Sequence, residues 1–139
     1  MASHELRVEP LVSEIPRLIE WLEAHCGAEG ITDDATLQIA LAVEEAVSNV
    51  VNHAFAGLPP PYMIRVRLDI MGESVAVEIV DNGHPFDPTT APDPDLTQPL
   101  EGRNPGGLGI HLIRGMVDRL QYRYIDGKNI LRLEQARRR

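Results

Sequence analysis

MIRVRLDIMGESVAVEIVD, residues 63–81, decides the fold. Apolar and polar side chains alternate on both sides of Gly72-Glu73, the period-two pattern of two strands joined by a tight turn. An antiparallel hairpin of this kind has one core face, and helices elsewhere in the chain must cover it. Working outward toward the N-terminus, two stretches supply them. From Ser13, a residue suited to an N-cap, Ile15, Leu18, Ile19, Leu22 and Cys26 recur at helical spacing, and Gly27 suits the stop, which predicts a helix over 13–26. Thr32 or Asp33 caps a second helix over 33–55, with Leu37, Ala40, Val43, Val47, Val50, Val51 and Ala54 on one side, ending before Gly57 and Pro59 to Pro61. Before both, HELRVEP (4–10) alternates as a short strand.

Toward the C-terminus, Asn82 to Pro105 holds six prolines and little periodicity, longer than compact domains usually leave without structure, so a functional loop or lid over about 82–109 is expected. Gly106 to Gly109 opens a third helix carrying Ile110, Leu112, Ile113, Met116, Val117 and Leu120. LQYRYID and NILRLEQ then form a closing hairpin about Gly127-Lys128. The order β-α-α-β-β-loop-α-β-β predicts an α+β fold: a two-layer sandwich, mainly antiparallel, with three helices on one face of the sheet, and residues 1–139 as one domain.

The 139 residues are 43% hydrophobic and 24% charged, the balance of a folded globular domain rather than of a disordered tail or fibre. No run approaches the roughly 20 apolar residues of a membrane helix, and MASHELRVEP lacks a basic-then-apolar leader, so no membrane association and a cytoplasmic location are expected. The single cysteine, Cys26, excludes an internal disulfide and reads as a buried apolar residue of the first helix. A net charge of −8 argues against general affinity for nucleic acid. The charge is two-ended: residues 1–102 carry −14 and residues 103–139 carry +6. The terminal run from Arg137 to Arg139 reads as a frayed, solvated tail, whereas Arg103, Arg114 and Arg119 flank the glycine cluster.

Three segments carry chemistry. On the second helix, at about 100° per residue, Glu45, Asn49, Asn52 and His53 gather opposite the valine stripe, with Gln38 further back. A solvated face has the same periodicity, but it is normally filled with lysine, arginine and glutamate, and residues 35–55 contain no lysine or arginine. Short carbonyl, carboxylate and imidazole groups one turn apart suit a hydrated cation and its phosphate. Next, Asp81-Asn82-Gly83-His84-Pro85-Phe86 ends a strand. An ordinary turn reads the same way, but a strand-end carboxylate can also accept a hydrogen bond from an exocyclic amine such as that of adenine, while Gly83 lets backbone approach the base. Finally, Gly106-Gly107-Leu108-Gly109 opens a helix whose N–H groups and positive end suit a phosphate, although the run is neither a P-loop nor a dinucleotide-binding fingerprint.

In this order, EEAVSNVVNHAF (44–55), DNGHPFDP (81–88) and GGLGIHLIRGMVD (106–118) resemble the nucleotide-binding motifs of the GHKL ATPase superfamily, the Bergerat fold, and within it the anti-sigma-factor serine/threonine kinases. The resemblance covers nearly the whole chain. It implies ATP and Mg²⁺ as cofactors, with Asn49 as the metal ligand and His53 one turn on toward the phosphates. Glu45 would be the general base that accepts the proton of an attacking hydroxyl. Asp81 and Gly83 match the adenine-reading pair, with Phe86 in the same motif, and Gly106, Gly107, Leu108 and Gly109 match the segment that closes over phosphate. Arg103 lies slightly before the position where some relatives place a lid arginine that meets the γ-phosphate. Many relatives carry a threonine after the glycine of the last hairpin. Here the sequence is Gly127-Lys128-Asn129, so either Asn129 substitutes through its amide or that contact is absent.

The resemblance further implies phosphorylation of a small STAS-domain anti-anti-sigma protein, binding of a sigma factor when that partner is unavailable, and a homodimer. Two other classes compete: a non-catalytic module whose ATP orders a loop for a protein partner, and a hydrolase with His53, Asp81, His84 and Asp87 as metal ligands. Glu45 speaks against the first, and the absence of a common metal-ligand spacing against the second.

Overall fold

The computed structural model describes residues 2–90 and 113–138. Five strands form one antiparallel sheet: β1 (Ala2–Val8), β2 (Ile64–Ile70), β3 (Ser74–Asp81), β4 (Arg119–Ile125) and β5 (Lys128–Ala136). Their order across the sheet is β1-β2-β3-β5-β4, so β3 is the central strand. The expected 63–81 hairpin is present, with Ile70 facing Val75 across the turn. The closing hairpin turns at Asp126-Gly127, one residue earlier than expected, because both residues adopt positive φ (52° and 74°), the mirror-image turn that matches strand twist.

Helices α1 (Ile15–Ala28) and α2 (Asp33–Asn49) cover one face of the sheet, together with a short helical piece at residues 113–116. The α+β sandwich is therefore as the patterning implies. The core joins Leu18, Leu22 and Cys26 of α1, Ile39, Val43 and Val47 of α2, and the inward residues Val66, Leu68, Val77, Ile79 and Leu133 of the sheet. No helix among the described residues is long and apolar enough to cross a membrane.

Several boundaries differ from expectation. Ser13 does not cap α1. It lies in a 3-10 turn, Val12–Glu14, and Pro16 occupies the first turn of α1, where a missing N–H is harmless. The Glu14 carboxylate instead accepts hydrogen bonds from the Glu9 N–H (3.2 Å) and the Arg17 side chain (2.8 Å). Gly27 lies inside the helix, and the chain leaves it through Gly30, at φ 75°. Thr32 caps α2, its hydroxyl accepting from the Ala35 N–H at 3.3 Å. The third helix does not reach Leu120, because β4 begins at Arg119 and pairs from there with Glu134. Arg137 is not frayed: its guanidinium donates to the Met71 and Glu29 carbonyls (2.9 and 2.5 Å), and its own carbonyl accepts from the Thr32 N–H. The outer face of the sheet carries a charged lattice that alternation hid, in which Arg132 bridges Asp69 (3.0 Å) and Glu78 (3.5 Å), with Arg67 on the same two carboxylates.

The largest correction concerns α2. Leu37, expected in the apolar stripe, is 59% exposed, and Leu41 is exposed beside it. The buried arc is centred instead on Ile39, Val43 and Ala46, turned by roughly 70° from the arc centred on Val47 and Ala40. The cause is tertiary: α2 packs simultaneously on α1, β3 and β5, and a helix with two neighbours buries the arc that bisects them. Leu18→Ala, at a fully buried site, should lower stability in urea titration by about 2–5 kcal/mol. Leu37→Ala should change it by no more than about 0.5 kcal/mol.

Candidate functional site

The turned face of α2 has a chemical consequence. Asn49 and His53 fall at the margin of its buried arc rather than opposite it, and both line a cavity of about 280 Å³ between the end of α2 and the sheet. Ala46, Val50 and Ala54 line it from the same helix, Ile79 and Asp81 from β3, His84 to Phe86 and Pro88 from the following segment, and Ile113, Tyr122, Asn129 and Leu131 from the C-terminal part. Glu45 is half-buried one turn before Asn49 and is not a lining residue, and Asn52 is exposed, its amide donating to the Ser48 hydroxyl at 3.3 Å. The helix also changes character here. Residues Val50–Ala54 form a π-helical turn, a wide turn found often at functional sites and marked by no particular residue type.

Gly83 explains how strand end and helix end meet. A Cβ on Gly83 would sit 2.6 Å from both the Cβ and the carbonyl oxygen of Ala54, closer than real atoms approach. The glycine thus lets the segment after β3 press against the π turn, where the His84 N–H donates to the Ala54 carbonyl at 2.8 Å and the His84 ring meets the Ala56 carbonyl at 2.6 Å.

Asp81, at the base of the cavity, is only 4% exposed. Among the described residues, both of its hydrogen bonds fall on Oδ1: the Gly83 N–H donates at 2.8 Å and the Asn129 amide at 3.0 Å. Burial pushes its carboxyl above the ordinary aspartate value, while these two hydrogen bonds pull the other way by favouring the charged form. Asn129 and Tyr122 were not among the predicted site residues in a defined role. They became visible only when β5 paired with β3 in the register that sets Asn129 opposite Asp81.

His53, Asp81, His84 and Asp87 do not converge as metal ligands. Asp81 Oδ1 holds Gly83 and Asn129, the His84 ring holds a carbonyl, and Asp87 Oδ1 accepts from the Thr89 N–H at 2.8 Å. Among the described residues no three His, Cys, Asp or Glu side chains form a metal-holding group, which counts against the hydrolase reading. A nucleotide-borne Mg²⁺ needs no such group, since phosphates and waters supply most of its ligands. The amide of Asn49 in the cavity wall fits that role. Arg103, Gly106, Gly107, Leu108 and Gly109, and most of the expected lid, lie outside the described residues.

The raised Asp81 value fixes a sign. The folded state holds this proton more tightly than the unfolded chain, so the contribution of Asp81 to stability is fully present below the unfolded value, near 4, and is lost as pH rises through the folded one. Asp81→Asn keeps an Oδ1 acceptor for both donors but cannot ionise. Its thermal midpoint should therefore gain on the parent's as pH rises from below 4 to neutrality, as scanning calorimetry at several pH values would read. In contrast, Gly83→Ala should lower the midpoint at every pH, because an overpacked site costs roughly 1–3 kcal/mol of stability.

Comparison with known proteins agrees with this geometry. Residues 8–134 match the histidine kinase-like ATPase domain family. The chain is 34% identical over 113 residues to the serine/threonine-protein kinase BtrW of Bordetella bronchiseptica, covering 81% of this chain and 79% of that protein. It is 31% identical over 106 residues to the serine-protein kinase RsbW of Listeria monocytogenes, covering 73% and 67%. Among solved structures, the RsbU and RsbW domains of Rv1364c from Mycobacterium tuberculosis superpose with a TM-score of 0.70 at 15% identity over 97% of this chain, which spans about a third (32%) of that longer one. The chain belongs to the histidine kinase-like ATPase domain family and, within it, to the serine/threonine-protein kinases.

Proposed function

We propose that this kinase transfers the γ-phosphoryl group of Mg²⁺-ATP to a serine or threonine of a small STAS-domain anti-anti-sigma protein, that it binds a sigma factor when that protein is unavailable, and that it acts as a homodimer in the cytoplasm. The observation that carries the nucleotide half of this reading is Asp81: a buried carboxylate at the base of a largely apolar cavity, with its described hydrogen bonds confined to one oxygen. Such a group is suited to accepting the exocyclic amine of adenine through the other oxygen, and Ile79, Ile113 and Leu131, which line the same cavity, would flank the base. The partner half rests on the family and on relatives named as serine-protein kinases.

Asn49 and His53, at the other side of the cavity, lie where the triphosphate would leave it. Asn49, together with phosphate oxygens, would hold the Mg²⁺ that accompanies ATP, and that ion would supply charge neutralisation for the transferring group. Glu45 stands one turn before Asn49 on the same helix and is half-buried, and on the family resemblance it is the group that would receive the proton of a hydroxyl brought by a protein partner. As the serine Oγ forms its bond to the γ-phosphorus, Glu45 accepts the hydroxyl proton, the bond to the β–γ bridging oxygen breaks, and ADP leaves with that electron pair. On the sequence resemblance, Gly106, Gly107, Leu108 and Gly109 supply backbone donors to the phosphates, and Arg103 meets the γ-phosphate.

One observation favours a second reading: Glu45 does not line the cavity, as a module that only binds nucleotide and a partner would permit. Transfer of radiolabelled phosphate to STAS proteins of the same genome separates the two. Glu45→Gln should leave ATP affinity nearly unchanged and slow transfer by about 10²-fold or more. Asn49→Ala should weaken both, because the loss of a metal ligand loosens the triphosphate and its alignment. Transfer by Glu45→Gln at the parent rate removes Glu45 from the mechanism, and a parent that labels no STAS protein gives way to the binding module.

A further inference from the structure

Asn129 is 5% exposed, and every hydrogen-bonding position of its side chain is used by the protein. Its Nδ2 donates to Asp81 Oδ1 at 3.0 Å and to the His84 carbonyl at 2.9 Å, with the Gly83 carbonyl at 3.5 Å. Its Oδ1 accepts from the Phe86 N–H at 3.1 Å and from the Tyr122 hydroxyl at 2.5 Å. The orientation of the amide follows from these partners. The three acceptors lie around one end and the Phe86 N–H, which can only donate, lies at the other, so a flipped amide would set like against like. Two donors and two lone pairs are thereby filled, and none is left for a ligand.

From this geometry we infer that Asn129, held by Tyr122, is a positioning residue for base selection. Although it lines the cavity, it has no hydrogen bond to spare for the nucleotide; it fixes the plane of the Asp81 carboxylate and the backbone of His84 to Phe86, so that Oδ2 of Asp81 faces the cavity as an acceptor for an exocyclic amine. The inference rests on the adenine-nucleotide reading and goes beyond it by naming what makes Asp81 selective. A carboxylate with Oδ1 pinned by the Gly83 N–H and the Asn129 amide cannot rotate, and a base that presents an oxygen in place of the amine meets an acceptor with an acceptor. Loss of the Asn129 donor leaves the Gly83 N–H alone on Oδ1, about which the carboxylate can turn.

The test compares ADP with IDP, whose base carries an oxygen where adenine carries its amine. Calorimetry with Mg²⁺ on the parent should give a preference for ADP of at least about 10-fold, the scale of a hydrogen bond to a charged group. Asn129→Ala should lower this ratio at least about 5-fold. Tyr122→Phe, which removes the donor behind Asn129 and should fold whether or not Asn129→Ala does, should lower it in the same direction by less. A variant that weakens ADP and IDP equally, leaving the ratio unchanged, overturns the positioning role and leaves the nucleotide reading standing. A parent that binds both nucleotides alike, or neither, overturns the adenine reading and this inference with it. A nucleotide-free readout is independent of both affinities: the Asp81 carboxyl carbon, followed by NMR against pH, should titrate at higher pH in Asn129→Ala, because a donor to the charged form has gone. An unmoved titration in a folded variant overturns the coupling.

Discussion

A carboxylate almost removed from water, Asp81, stands at the end of the central strand, and the rest of the site is arranged around keeping it there. Isolated, a buried aspartate would be neutralised or expelled. Here the Gly83 N–H and the Asn129 amide make its Oδ1 tolerable, and each of those donors has its own structural requirement. Gly83 can donate because the chain bends tightly against Ala54, which only a residue without a side chain allows. Asn129 can donate because β5 pairs with β3 in the register that sets the two residues opposite each other. A slip of one residue would turn Asn129 to the outer face.

The same constraint links the helix layer to the sheet. The segment after Asp81 is hydrogen-bonded to the π turn at the end of α2 through His84, and to β5 and β4 through Asn129 and Tyr122. Helix end, strand end and closing hairpin therefore share one small polar network under an otherwise apolar cavity. Within that network the asparagine side chain is saturated by the protein, whereas the described hydrogen bonds of Asp81 occupy only its Oδ1. A buried carboxylate in such a place costs stability even when it is hydrogen-bonded.

Family membership and the geometry support each other without being the same statement. The match to the histidine kinase-like ATPase domain covers residues 8–134, and likeness to the RsbU and RsbW domains of Rv1364c at 15% identity speaks to the fold. What the residues add is local. Asn49 and His53 share the cavity wall, Glu45 stands outside it, and the position after Gly127-Lys128 carries an amide that works on the protein.

The fold class was legible in the sequence because alternation about Gly72-Glu73 and about the last hairpin, and helical spacing from Ile15 and from Asp33, are properties of each segment alone. Asn49, His53 and Asp81 can be picked out by residue type within their own segments, and the structure sets all three in the wall of one cavity. What depends on two segments at once was not legible. The buried arc of α2 is set by α1 and the sheet together, so Leu37 was misplaced; the start of β4 at Arg119 follows from its pairing with β5, which ended the third helix short of Leu120; and Arg137 is held by carbonyls of Met71 and Glu29, far away along the chain. Asn129 is the clearest case. Its residue type is written in the sequence, but its function is a matter of register, and register belongs to the pair of strands and not to either one.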